Sequence, residues 1–131
     1  MIDVELDIFN AIYDDVAPLC AKNCFKGVYT PNPTAFPTVA LYEIDNRTDR
    51  NRNSSSDFED YAELTYEAHV YATTKAKCRE VFSALDNALS RYNFNRFSGT
   101  YIPNLNNAQV HEYVARYQVR VSNDGCLSRV R

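Results

Sequence analysis

From Phe58 to Ala72 the side chains alternate almost without a break, and this period of two constrains the fold more than any other feature of the chain. Phe58, Ala62, Leu64, Tyr66, Ala68, Val70 and Ala72 fall on one side; Glu59, Tyr61, Glu63, Thr65, Glu67, His69 and Tyr71 fall on the other. Successive side chains of a strand point to opposite faces, so the segment predicts a long strand with one core face and one face left to solvent or to a partner. The same reasoning gives a strand over about 109–121. There His111, Tyr113, Ala115, Tyr117, Val119 and Val121 oppose Val110, Glu112, Val114, Arg116, Gln118 and Arg120. A further strand is expected over about 38–45.

Half-buried strands need a layer to cover them, and a helical period appears twice. Ile8, Phe9, Ile12, Val16 and Leu19 keep three-four spacing in a first helix that Asp3 can cap and Pro18 ends or bends. Cys78, Val81, Phe82, Leu85, Leu89 and Tyr92 do so in a second, over about 75–92. Short extended pieces are expected at 27–33 and 94–102, and Asn123-Asp124-Gly125 is a turn signal before a terminal strand or tail. The order α-β-β-β-α-β-β predicts an α+β fold: a mainly antiparallel β-sheet with two helices packed on one face. The 131 residues suit a single domain, 1–131. Residues 45–57 contain no apolar side chain before Phe58 and read as a mobile hairpin loop. A loop of that length is either a solvated tip or an arm that orders against a partner.

The pattern excludes several kinds of chemistry. Three glycines, set against ten tyrosines, could hardly build a phosphate-binding loop. Neither a nucleophile elbow nor a His-Glu-x-x-His motif is present. A net charge of −3 argues against a protein held on duplex phosphates. No apolar run approaches about 20 residues, and the acidic start is unlike a secretory leader. The four cysteines Cys20, Cys24, Cys78 and Cys126 lack the paired spacing of a zinc site and read as reduced thiols. No metal or cofactor is expected. His69 beside Glu67 could form an acid-base pair in a small cytosolic enzyme, but the commoner role of such a histidine is structural.

Charge is segregated along the chain. Asp3, Glu5, Asp7, Asp14 and Asp15 precede the first base, the second long strand exposes Glu59, Glu63 and Glu67, and Arg116, Arg120, Arg129 and Arg131 lie near the end. These groups pair across strands of one sheet or across subunits of a ring.

The order of several segments resembles one phage family. They are Met1-Ile2-Asp3-Val4-Glu5, Phe36-Pro37-Thr38-Val39, the polar hairpin, the run from Tyr61 to Tyr71, Ile102-Pro103-Asn104-Leu105 and Tyr113-Val114-Ala115-Arg116-Tyr117. Together they look like the small tail-terminator, or tail-completion, proteins of long-tailed phages and prophages, the group of the lambda tail terminator. The resemblance implies a structural, non-enzymatic virion protein of the tail or neck, assembled in the host cytoplasm. It would form a hexameric ring that caps the tail tube, ends its polymerisation and offers a surface for head-tail joining. A head-side connector, or stopper, is the alternative. The implied partners are further copies of the chain, the tube protein and the connector. No membrane or sequence-specific nucleic acid is implied, and the ring lumen would lie near the genomic DNA. On this reading Arg47, Arg50 and Arg52 form the arm that contacts tube or connector. Glu63, Glu67, Arg116, Arg120, Arg129 and Arg131 form the contact between subunits.

Overall fold

The computed structural model describes residues 5–22, 24–30, 33, 35–48, 61–103 and 110–122. The first helix, α1, runs over Glu5–Val16 and buries Ile8, Ile12 and Val16 on one face. Pro18 then falls in a short 3₁₀ turn, Ala17–Leu19, where its missing N–H costs no helical hydrogen bond. Asp15 sits at the unfavourable negative end of the helix and is met there by Arg91. The expected cap Asp3 lies outside the described residues.

The first strand, β1 (Phe25–Lys26), pairs in parallel with Val39 and Ala40 of β2 (Thr38–Thr48). The extended piece thus lies upstream of the expected 27–33. Packing explains the difference: Phe25 is buried against Phe9 and Tyr13, with ring centroids 4.5 and 5.8 Å away, whereas Val28 and Tyr29 are exposed. β2 also runs past the expected Asp45. Asp45, Asn46, Arg47 and Thr48 pair with Thr65, Leu64, Glu63 and Ala62, so these four residues of the polar segment are strand rather than loop. Backbone pairing asks for no apolar side chain. Ile44, between the paired residues Glu43 and Asp45, is a bulge.

β3 (Tyr61–Ala72) lies at the centre. It pairs antiparallel with β2 and, from Tyr61↔Ser122 to Ala72↔His111, with β5 (His111–Ser122). α2 (Lys75–Ser90) connects them through β4 (Asn95–Pro103), which pairs with β5 and carries a second irregularity at Phe97. The sheet order is β1-β2-β3-β5-β4, and the element order is the expected one. Thr74 caps α2, its hydroxyl accepting the Lys77 N–H at 3.1 Å. The helix ends before Asn93, whose φ of 66° is a conformation asparagine tolerates. Gly99 lets β4 pass over β5, since a Cβ there would collide with the Tyr113 hydroxyl.

The core lies between the two helices and one face of the sheet. Ala62, Leu64, Tyr66, Ala68, Val70 and Ala72 meet Val81, Leu85, Ala88 and Leu89 of α2, with Ile8, Ile12 and Val16 of α1 alongside. Two tyrosines within this layer keep their polar ends satisfied or out of the way. The Tyr117 hydroxyl donates to Asp86 at 2.8 Å and the Tyr66 hydroxyl to Glu43 at 3.4 Å, with the Tyr66 ring edge-on to Phe94 at 5.7 Å. No described helix is long and apolar enough to cross a membrane.

Candidate functional site

The helices cover one face of the sheet, and the chemistry-bearing residues fall on the other. Register alone builds that second face in rows. Arg47, Glu63 and Arg120 form one row; Tyr42, Glu67 and Arg116 form another; Ala40, His69 and Val114, then Thr38, Tyr71 and Glu112, follow. Two of the pairs expected by charge are therefore cross-strand neighbours within one sheet. Arg116 Nε stands 3.8 Å from Glu67 Oε1, and Glu63 lies directly opposite Arg120. Both charges of the first pair are partly exposed, so the contact is worth no more than about 0.2–1 kcal/mol. Arg47 is a largely exposed side chain held by Asp45 at 2.7 Å. Arg50, Arg52, Arg129 and Arg131 lie outside the described residues.

The face is closed over His69, which is only 8% exposed, and over Tyr71 and Thr65. This departs from the polar, solvent-facing side that alternation predicts. The cause is the chain after β1: Tyr29 returns across the sheet and sets its ring edge-on to His69 at 5.9 Å and to Tyr42 at 6.0 Å. Tyr42 and Tyr71 lie stacked on either side of His69, at 5.9 and 6.1 Å.

Within this cover the polar atoms satisfy one another. His69 Nδ1 lies 2.8 Å from Glu112 Oε2, which can only accept while ionised, so this nitrogen carries the proton. His69 Nε2 lies 3.0 Å from the Tyr42 hydroxyl, and that hydroxyl lies 3.2 Å from Glu67 Oε2. A phenol has one proton, so Tyr42 donates either to Glu67 or to His69, and the histidine's second nitrogen takes the complementary role. Burial, then the charge and hydrogen bond of Glu67, push the Tyr42 hydroxyl above its ordinary range; burial and Glu112 do the same to Tyr71. Both therefore remain donors. The expected partner Glu67 is the more distant carboxylate, 3.6 Å from His69 Nε2, and the closer one, Glu112, comes from β5. Its signal was present in the alternation, which sets Glu112 opposite in direction to His111. His111 itself lies on the core face, hydrogen-bonded to Tyr101.

An arrangement in which every polar atom of a buried histidine has an internal partner is what structural burial requires. An open depression of about 190 Å³ lies elsewhere, lined by Glu63, Asn95, Gln118 and Arg120. Among the described residues no group of His, Cys, Asp and Glu is arranged to hold a metal ion.

Cys20, Cys24 and Cys78 are free thiols, and Cys126 lies outside the described residues. Burial pushes the Cys20 and Cys78 thiols up to about 11 from 9.0. The thiolate is the reactive form, so at pH 8 both should alkylate about 100-fold more slowly than an ordinary exposed cysteine. Timed iodoacetamide labelling read by peptide mass spectrometry checks this, and rapid labelling of either residue would contradict it.

No protein-family model matches the chain, and no curated protein sequence matches it. Solved structures do. A chain of the virion of a native gene transfer agent particle superposes with a TM-score of 0.61 and 15% identity, covering 86% of this chain and 92% of that chain. A chain of the anti-feeding prophage cap, described as the tube-terminating cap, covers 96% of this chain and 58% of that chain at 10% identity, with a TM-score of 0.38, too low to carry an argument. The first likeness shows a shared fold.

Proposed function

We propose that this chain is a structural virion protein that forms a ring on the end of a tail tube, stops tube growth and presents the surface for head-tail joining. The observation that carries the reading is the match to the gene transfer agent virion chain. It spans nearly all of both chains, so the two molecules share a whole domain with little left over on either side. The closed, internally satisfied cluster around His69 agrees with a scaffold more than with a catalytic cleft. In this reading Arg47, with Arg50 and Arg52 in the segment after β2, reaches the tube or connector, and the rest of the sheet holds the subunit rigid.

Assembly without this protein should give tubes that overrun their normal length in negative-stain electron micrographs. Tubes of normal length that fail to acquire heads would overturn the terminator role and move the protein to the head-side connector. Normal particles would overturn the virion reading altogether.

A further inference from the structure

Among the described residues, the large apolar side chains left exposed are not spread over the surface. Leu6 (70%) and Tyr13 lie on α1, Val28 follows β1, and Ile44 bulges from β2; these belong to one side of the sheet, while Tyr29 lies over His69 on the face away from the helices. Phe97 (53%) and Ile102 lie on β4, at the opposite side. Among the described side chains the central strands β3 and β5 contribute none. Isolated exposed apolar residues mean little, but segregation to two opposite edges marks contact surfaces.

The exposed face of α1 and the strip beside β4 also differ in charge, and the bases on the α1 side, Lys22 and Lys26, lie off the helix, before and in β1. On α1, Leu6 and Tyr13 are flanked by the exposed acids Asp7 and Asp14 in the same seven-residue spacing, and the helix has no base. Beside β4 stand Lys75, whose ammonium lies 5.2 Å over the Tyr101 ring, and the exposed Arg79; Arg96, on β4 itself, is held by Asp86 at 3.5 Å. Like edges brought together would set acid on acid or base on base. Unlike edges bring acid to base and apolar to apolar.

The backbone edges differ too. β2 is closed to an added strand over its first half: β1 covers Val39 and Ala40, and the Glu5 carboxylate accepts the Glu43 N–H at 2.7 Å. β4 is an edge strand whose residues 95–100 are all exposed. A contact between the two edges is therefore made by side chains and not by continuing the sheet.

We propose that copies of this chain join head to tail, with the α1 edge of one, through Leu6, Tyr13, Asp7 and Asp14, seated on the β4 edge of the next, through Phe97, Lys75 and Arg79. This rests on the ring reading and deepens it. A contact between unlike surfaces repeats around a ring and closes at a fixed rotation. Charge complementarity of this sort sets register and suppresses the wrong pairing.

Sedimentation velocity of the full-length protein at low salt tests it by charge exchange. Asp7→Lys with Asp14→Lys should weaken assembly about tenfold, and Lys75→Glu with Arg79→Glu should do the same. The protein carrying all four changes should assemble again, because the edges are complementary once more. Circular dichroism confirms that each variant is folded, and Phe97→Ser, an exposed substitution, gives an independent loss should a helix variant fail to fold. A wild-type protein that stays monomeric, both free and at tube ends, overturns the ring reading and this contact with it. A wild-type ring whose two charge variants and Phe97→Ser assemble normally overturns the contact alone, as does a folded fourfold variant that stays dissociated.

Discussion

Truncating Leu85 to alanine should destabilise the protein by about 2–5 kcal/mol, the usual cost of removing a fully buried leucine side chain. Leu85 has no exposed surface and sits in the row of α2 that faces the sheet, among Val81, Ala88 and Leu89. Its neighbours on the sheet are strand residues whose backbone positions are held by pairing on both sides, so the site has little freedom to collapse around the gap. Equilibrium urea unfolding measures the effect as a shift in midpoint at constant slope. A loss of less than about 1 kcal/mol would mean that α2 does not rest on β3 and β5 as described.

Replacing Glu112 by alanine should be nearly as damaging, for a different reason. The substitution removes the acceptor for His69 Nδ1 and the hydrogen-bond partner of Tyr71, both of which are buried. A buried donor left without an acceptor costs about 1–3 kcal/mol, and here two are orphaned. The diagnostic is coupling. Glu112→Ala combined with His69→Phe should cost clearly less than the two single changes added together, because the second removes a group that the first had stranded. Additive losses in urea unfolding would show that His69 and Glu112 do not depend on each other. The sheet would then be held in that region by Tyr29 and the stacked tyrosines alone.

Much of the fold was legible because its central strands are half buried. In β3 and β5 a period of two separates the core set from the rest, and the structure buries Ala62, Leu64, Tyr66, Ala68, Val70, Ala115, Tyr117, Val119 and Val121 accordingly. The helices were legible through their apolar rows for the same reason. Features that depend on distant parts of the chain were not. Tyr29 lies far in sequence from His69, and no local pattern tells that it covers that ring. The bulges at Ile44 and Phe97 each change the phase of alternation, and a periodic reading carries no mark of where that happens. The polar end of β2 was missed because it has no hydrophobic pattern to read; it is strand because β3 offers it a backbone ladder. The charge segregation was visible, but which of these residues are neighbours in the sheet was not, because a periodic pattern carries no register. Register sets Glu67 against Arg116 within one sheet; of the acids of α1, Glu5 accepts the Glu43 N–H and Asp15 meets Arg91.

The pairing of Tyr61 with Ser122 has a consequence for the making of the protein. β2 and β3 are neighbours in the chain and can zip as a hairpin as soon as both have emerged from the ribosome. The strand that completes the middle of the sheet comes after α2 and β4, so its two ends must be gathered across a wide stretch of chain, which is the slow kind of contact to form. Until Ser122 has been synthesised, β3 offers an unpaired hydrogen-bonding edge and α2 has only part of the surface it will cover. A nascent chain is therefore exposed to mispairing with another copy of itself until β5 has been made and has reached β3.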